Sequence, residues 1–330
     1  PDRRGEAALR HHGVGGQPRV GAGVLLAQAR HHVHGHDAGG DADVDCTIGD
    51  GGHAEEILKH TSPNGKLLGI DADPESLLRA KNFLYGFGKR VMYARDNFEH
   101  IADIAERERL HPIHAVLMDL GWSSPQMEER GRGLSFERDE PLDMRYSAEA
   151  QILNPKSKIL NRTAADIVNG SGYDDLERIF REYGEEELSF DIAREIVNRR
   201  RDEKIETTKQ LVKIILDVYR KKLNTTKEVP WIGGLHPATK VFQALRIVVN
   251  DELGVIERAL PKAISVLEPG GRLAVITFHS LEDRIVKHYF KDQEGKSINI
   301  MTKKPIMPTD DECKQNPRAC SAKLRVVEKI

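Results

Sequence analysis

From Val44 onward, short apolar runs in the sequence alternate with glycine-rich turns and stretches of helical period. This alternation is typical of a parallel sheet with crossover helices. A helix should begin after the second run, with Asp73 as the N-cap and Pro74 at the first helical position. We therefore predict a doubly wound α/β fold, with a strand that starts at Val44 and further strands over residues 66–70, 90–94 and 114–120.

The alternation stops after the fourth strand, and residues 134–235 are charged and helical in period. Leu188, Ile192 and Ile196 mark one amphipathic helix, and Thr207-Thr208 should begin another. The α/β pattern then resumes. We predict a helix from about Ala238 to Leu253, a second helix to Leu267, a strand over 272–278, a helix with a capping box of Ser280 and Asp283, and a last strand over 324–327.

Composition limits the kinds of partner and site. Lys and Arg number 50 against 52 Asp and Glu, so only local basic patches could bind a nucleic acid. Cys46, Cys313 and Cys320 have no paired ligand spacing, which favours a reducing cytoplasm and no metal centre. Six of the fourteen histidines fall in residues 1–43, where the bias is compositional and carries no ligand geometry. No apolar run approaches the roughly 18 residues of a membrane span.

A glycine-rich turn follows the first strand in the stretch VDCTIGDGGH. Gly49, Gly51 and Gly52 would let a ligand approach the backbone at a helix N-terminus, although a plain turn has the same composition. Asp71 ends the second strand at the spacing where a carboxylate binds ribose hydroxyls. Because the spacing is G-x-G-G and not G-x-G-x-x-G, an adenosine cofactor other than NAD is favoured.

Two further strand ends carry candidate residues. Phe98 follows the third strand and could stack on an adenine, although a core role is the commoner one for a phenylalanine. Asp119 ends the fourth strand and begins the stretch DLGWSSPQ. The carboxyl ends of parallel strands are where open α/β sheets bind ligands.

Several stretches, taken in order, closely resemble one bacterial family, the MraW-type small-subunit (16S) ribosomal RNA cytosine-N4 methyltransferases. The resemblance covers residues 44–330 and is carried by DCTIGDGGH, GIDADP, DLGWSSPQ, RGLSFERDEPLDMRY, YGEEELSFDIAREIVNRR, HPATKVFQALRIVVNDEL, PGGRLAVITFHSLEDRIVK and NPRACSAKLR. It implies a class I methyltransferase fold, in which a Rossmann-like, mostly parallel sheet carries a helical inserted domain. It also implies S-adenosylmethionine as cofactor. We expect an atypical segment over 1–43, a methyltransferase domain over 44–133 and 236–330, and a substrate-binding helical domain over 134–235.

The resemblance also assigns residues to the site. It implies that Gly51, Gly52 and His53 bind the cofactor in the glycine loop, with Asp71 on the ribose. Phe98 and Asp119 should surround the adenosine and methionine portions, and Gln126 should close the site. For catalysis, Asp119 and the Ser123-Ser124 pair are the candidates for accepting a proton from the target amine.

The implied partner is small-subunit ribosomal RNA or the assembling small subunit, with no membrane and with a homodimer left open. Basic runs at 199–201, 220–222 and 303–304, and Arg325, could bind phosphates, although such runs are more often solvated surface. Trp122 is either a core anchor or a stacking platform for the base. Nothing in residues 1–43 matches the His-x-Pro-Val segment of the family. The alternative of a protein that binds the cofactor and RNA without catalysis therefore stays open. A second alternative is a methyltransferase that acts on another RNA or on protein.

Overall fold

The computed structural model describes residues 42–121, 131–146 and 162–330, and these form a seven-stranded sheet with helices on both faces. The strands lie in the order β3-β2-β1-β4-β5-β7-β6. Their bounds are β1 Ala42–Asp45, β2 Lys66–Asp71, β3 Val91–Arg95, β4 Ile113–Asp119, β5 Leu267–Thr277, β6 Ile298–Ile300 and β7 Lys323–Lys329. The first five strands are parallel, and β7 runs antiparallel to both of its neighbours. The expected mostly parallel α/β fold is confirmed.

The register of the sheet brings the ends of several strands to one edge. Asp45 lies opposite Gly69 on one side and Leu117 on the other, so β1 ends between β2 and β4. Asp119 at the end of β4 pairs with Ile276 near the end of β5. Because all four strands are parallel, their carboxyl ends share this edge, where open α/β sheets bind ligands.

Eleven α-helices are present in the described ranges. Their bounds are α1 Gly52–His60, α2 Pro74–Phe83, α3 Ile101–Arg107, α4 Ala164–Gly170, α5 Tyr173–Gly184, α6 Ser189–Arg199, α7 Thr208–Leu223, α8 Thr239–Asn250, α9 Glu252–Val266, α10 Ser280–Gln293 and α11 Asp310–Gln315. Alternate residues of β2 face opposite sides of the sheet. Leu67 packs in the core with α1 and α2, whereas Leu68 and Ile70 pack in the core with α3, α9 and α10.

A separate apolar cluster fills the helical region. It draws its buried side chains from residues 134–249 and shares none of them with the two sheet cores. Helices α5 and α8 approach so closely that a Cβ atom at Gly184 would lie 2.7 Å from the backbone oxygen of Lys240. Helix α8 contributes Val241, Phe242 and Leu245 to this cluster, although our boundary at residue 235 assigned it to the other domain. The division into domains stays a prediction.

The helix starts test the capping predictions. Asp73 does cap α2, where its side chain accepts a hydrogen bond from the Glu75 N–H, and Thr207 caps α7. The prediction for α10 was wrong: His279 is the N-cap, and Glu282 completes the capping box. The chain enters this helix through an extended His279, one residue earlier than the serine that propensity favours. Asp283 instead binds Arg325 on β7, with 2.7 Å between Oδ1 and Nε.

Most strand bounds differ from the predictions by one to three residues, as where β1 begins at Ala42 and not at Val44, and the larger differences lie elsewhere. The helix expected over Ala238–Leu253 ends at Asn250, because Asp251 adopts left-handed backbone angles with φ of 50°. Strand β5 begins at Leu267, before the Pro269-Gly270-Gly271 turn that we expected to precede it. The three-residue strand β6 was not predicted, since so short a run carries little periodicity.

Within residues 42–121, 131–146 and 162–330, no helix is both long enough and apolar enough to cross a membrane.

Candidate active site

The glycine loop leaves β1 and turns directly into α1. Ile48 N–H donates to the Ile70 oxygen at 3.0 Å, and Gly51 N–H donates to the Ile48 oxygen at 2.8 Å, which holds the turn against β2. Gly51 has φ of 97°, and a Cβ atom there would lie 3.2 Å from the side chains of Leu84 and Phe83. A Cβ atom at Gly52 would meet nothing within 4 Å. The loop therefore needs glycine at Gly51 and leaves open space beside Gly52 for a ligand.

Asp71 fastens this loop to the end of β2. Its Oδ2 accepts the Gly49 N–H at 3.0 Å, and its Oδ1 accepts the Asp73 N–H at 2.8 Å. Burial raises the pKa of Asp71 to about 7, against the lowering effect of these two hydrogen bonds. A carboxylate has about four acceptor positions, so the two oxygens can still accept hydroxyl groups of a ribose.

Asp119 and His53 meet across the loop. The Asp119 N–H donates to Thr47 Oγ1 at 2.9 Å, and its Oδ2 lies 3.5 Å from His53 Nε2. Only 13% of the Asp119 side chain and 11% of the His53 side chain are exposed. The ends of β1 and β4 and the first turn of α1 thus bring together a carboxylate and an imidazole that are 66 positions apart in the chain.

Asp45 is a buried carboxylate at this edge that the motif analysis did not select. Its Oδ1 accepts the Thr47 N–H at 3.1 Å, and no hydrogen bond from the described residues reaches its Oδ2. Burial raises the pKa of Asp45 to about 6, although the nearby His53 acts to lower it. The signal that identified Asp119, an aspartate that ends an apolar strand, is also present in Val44-Asp45.

Phe98 lies at the end of the neighbouring strand β3. It begins a short 3-10 turn and packs, partly buried, against the sheet core. The adjacent Asp96 N–H donates to the Asp71 oxygen at 3.2 Å, so this turn lies directly beside the end of β2. Its stacking role stays a prediction. Gln126, Trp122, Ser123 and Ser124 lie outside the described residues.

The basic runs are largely engaged in ion pairs within the helical region. Arg199 binds Glu195 at 2.9 Å and Asp217 at 3.0 Å. Arg220 and Lys221 bind these same two carboxylates. Arg325 is buried on β7 beside Asp283. These cations are therefore weaker phosphate candidates than the sequence suggested, whereas Lys303 and Lys304 are exposed.

The sheet edge suits a cationic nucleoside cofactor. S-adenosylmethionine has an ammonium and a sulfonium group, for which Asp45 and Asp119 are anionic partners, and a ribose, for which Asp71 is an acceptor. The open space beside Gly52 gives the backbone approach that such a ligand needs. The residues present therefore fit this cofactor.

Comparison with known proteins gives consistent results. A family model described as the MraW methylase family matches residues 22–330, which begins further upstream than the expected residue 44. Relatives named "Ribosomal RNA small subunit methyltransferase H" include those of Symbiobacterium thermophilum, 46% identical over 87% of this chain and 90% of that protein, and of Dehalococcoides mccartyi, 43% identical over 87% and 80%. Among solved structures, a SAM-dependent O-methyltransferase from Thermotoga maritima aligns with a TM-score of 0.38 and 10% identity over 93% of this chain and 64% of that one. Because the family match and these relatives span most of its length, the chain belongs to the MraW methylase family.

Proposed function

We propose that this protein transfers a methyl group from S-adenosylmethionine to the exocyclic N4 amine of a cytidine in small-subunit (16S) ribosomal RNA. The names of the relatives support the ribosomal RNA substrate. The observation that carries the proposal is the meeting of the glycine loop, Asp71 and Asp119 at one sheet edge, through the Gly49–Asp71 and His53–Asp119 contacts.

The cofactor of the family is S-adenosylmethionine. Gly51, Gly52 and His53 would hold it along the loop, and Asp71 would accept its ribose hydroxyls. Phe98 would stack on the adenine, and Gln126 would close the site. When bound, the cofactor supplies a methyl group on a positively charged sulfur, which takes the bonding electron pair as the methyl group leaves.

The chemistry required of the protein follows from the target. The N4 lone pair of cytosine is delocalised into the ring, so the amine is a poor nucleophile. Holding it in line with the methyl group supplies much of the rate through proximity. One amine proton must also leave the nitrogen, and we assign its acceptance to the carboxylate of Asp119. His53, 3.5 Å from Asp119 Oδ2, would orient that carboxylate.

The target base must leave its stack before it can reach this edge. We therefore expect an unpaired or splayed RNA segment, either in naked RNA or in an assembling subunit in the cytoplasm. Residues 134–235 would form the domain that binds this substrate. The loop of residues 131–146, at the start of this domain, is a candidate RNA contact, since Arg138 on it is exposed.

The test is transfer of a labelled methyl group to three acceptors: immature small subunits, naked small-subunit RNA and extract protein. We expect label in the RNA, and N4-methylcytidine in its nucleoside digest by mass spectrometry. Label in protein or in another nucleoside would contradict the proposal. Cofactor binding without transfer to any acceptor would favour the alternative of an inactive binding protein.

A further inference from the structure

A buried polar cluster lies where the helical region meets the sheet edge. Helix α8 ends at Asn250, and α9 begins at Glu252 after the left-handed Asp251. Arg246 and Glu252 form a two-pronged ion pair of 2.7 and 2.8 Å, with 16% and 8% of their side chains exposed. The Tyr146 hydroxyl donates to the same carboxylate. Two distant parts of the chain, Tyr146 and the segment from Arg246 to Glu252, therefore meet here.

The backbone of this cluster is constrained in unusual conformations. Met144 is buried and has φ of 62°, and Asp251 has φ of 50°, although neither is a glycine. Asn250 ties the two segments together: its side chain accepts the Tyr146 N–H at 3.0 Å and donates to the Met144 oxygen at 2.9 Å. Left-handed residues other than glycine persist only where their surroundings fix them, and they concentrate at functional sites.

Helix α10, which follows β5, supplies a second carboxylate to the cluster. Glu282 is buried and accepts the Phe278 and His279 N–H groups at 2.8 and 3.3 Å. Its Oε1 lies 3.1 Å from His279 Nε2. One potential ligand atom from each of Glu252, His279 and Glu282 lies within 4.8 Å of the others. The start of α9 therefore lies beside the segment that follows β5.

The order of the strands separates the cluster from the glycine loop and from Asp71. Strand β5 adjoins β4 on the side away from β1 and β2. The glycine loop and Asp71 lie on those two strands, whereas Phe278 and His279 follow β5. A Cβ atom at Gly121, just beyond Asp119, would lie 3.0 Å from the Phe278 ring. The cluster therefore supports the wall of the site opposite the cofactor loop.

Two simpler explanations fit less well. A stabilising role is poorly served by two buried carboxylates with one guanidinium, since apolar replacements of buried ion pairs are often as stable or more so. A metal site is disfavoured because the Arg246 guanidinium and the Tyr146 hydroxyl already occupy both oxygens of Glu252. A guanidinium at that distance would also repel a cation.

We propose that Tyr146, Arg246 and Glu252 are positioning residues for the nucleotide side of methyl transfer. They hold the 131–146 loop and the Phe278-His279 segment in the arrangement that receives the target base. The inference rests on the proposed function, because it assumes an acceptor base opposite the cofactor. The cluster acts on turnover with RNA and leaves cofactor affinity unchanged.

Tyr146→Phe tests this inference with the smallest change, because it removes one hydroxyl. Tyr219→Phe is the matched control: the Tyr219 hydroxyl donates to Glu186 at 2.8 Å in the helical core, and both residues are buried. We expect Tyr146→Phe to lower kcat with RNA about 10- to 100-fold, since small misplacements of a reacting group have effects of this size. Its Kd for S-adenosylmethionine should stay within about twofold of the wild type, since the hydroxyl lies outside the assigned cofactor contacts. Tyr219→Phe should keep wild-type kcat with a similar loss in Tm.

Arg246→Lys is a second test of the inference, because it keeps the positive charge and loses the two-pronged geometry of the ion pair. It should show the same loss of kcat with unchanged cofactor Kd. Equal kcat in Tyr146→Phe and Tyr219→Phe, or a cofactor Kd that weakens in step with kcat, would overturn the inference. Wild-type transfer to small-subunit RNA tests the proposed function itself. The inference is tested by the ratio of variant kcat to wild-type kcat on whichever acceptor is methylated. The inference and the proposed function can therefore fail separately.

Discussion

Carboxylates at the sheet edge and carboxylates in the helical region lie in opposite electrostatic settings. At the edge, burial raises the pKa of Asp45 to about 6 and that of Asp71 to about 7. In the helical region, burial acts upward on the pKa of Glu195, but hydrogen bonds from Arg199 and Lys221 shift it downward overall. One region leaves anionic groups short of cationic partners, whereas the other supplies partners within the fold.

This difference separates residues that serve a ligand from residues that serve stability. A buried carboxylate without a cation lowers stability until a cationic ligand arrives, and strongly shifted groups cluster at functional sites for that reason. Ion-paired carboxylates near the surface contribute modestly to the free energy of unfolding and need no ligand. Four substitutions test this difference between the sheet edge and the helical region.

Asp119→Asn should have the largest effect. If this carboxylate accepts the amine proton, kcat at saturating cofactor should fall by about 10²- to 10⁴-fold, the range that a general base contributes. Rapid-quench methyl transfer at several cofactor concentrations separates this loss from weaker binding. Near-normal kcat at saturation would leave Asp119 with a binding role alone.

Asp71→Asn should act on binding instead of turnover. Loss of a charge-assisted acceptor for ribose hydroxyls predicts a Kd about 10- to 100-fold weaker, equivalent to roughly 1.5–3 kcal/mol. Titration calorimetry with S-adenosylmethionine measures it, and Asp96→Asn, just after the end of β3, is the control. A variant Kd equal to that of the wild type would contradict the assignment of Asp71 as a cofactor contact.

Asp45→Asn should stabilise the ligand-free protein while it weakens cofactor binding. The folded-state pKa of about 6 exceeds the ordinary value of 3.8, so the ionised carboxylate disfavours folding above pH 6. The variant should gain roughly 1–3 kcal/mol in free energy of unfolding at pH 8, and the gain should vanish as the pH falls below about 4. Urea denaturation at both pH values tests this, and a loss of stability at pH 8 would contradict it.

Arg199→Gln should have the smallest effect. Its side chain is 39% exposed and binds two carboxylates, so the free energy of unfolding should fall by less than about 1 kcal/mol. The loss should shrink further in high salt, because exposed pairs are screened. Methyl transfer should remain at the wild-type rate. A large loss of RNA binding would instead indicate that Arg199 contacts RNA phosphates.

The sequence predicted which residues lie together best where the signal was local. Asp71 was selected because it lies 22 residues after Gly49. In the structure the two residues are in contact, with 3.0 Å between the Gly49 nitrogen and Asp71 Oδ2. Asp45 was missed because it is one of three alternating aspartates, Asp41, Asp43 and Asp45, and the sequence does not tell which of them faces the site. His279 was missed as an N-cap because serine has the higher propensity, whereas the extended backbone of His279 selects it here.

The polar cluster around Glu252 shows what no local signal could predict. Tyr146 and Glu252 are 106 positions apart, and their contact depends on how the helical region packs against the sheet. The pairs Arg199–Asp217 and Lys221–Glu195 likewise join two helices, whereas Glu195–Arg199 and Asp217–Arg220 lie at ordinary i,i+4 and i,i+3 spacing within one helix. Periodicity identifies elements, but the pairing of charges across elements requires the tertiary fold.

The two backbone hydrogen bonds that Asp71 accepts have a consequence for how a ligand is received. The bond from Gly49 fastens the turn between β1 and α1 to the end of β2, and the bond from Asp73 holds the turn between β2 and α2, both before anything binds. Few backbone torsions then remain to be frozen on association, so the entropic penalty of ordering falls on the incoming molecule and not on the protein. Such a site is preorganised: it should admit its ligand by simple docking, at a rate governed by diffusion and charge instead of by loop rearrangement.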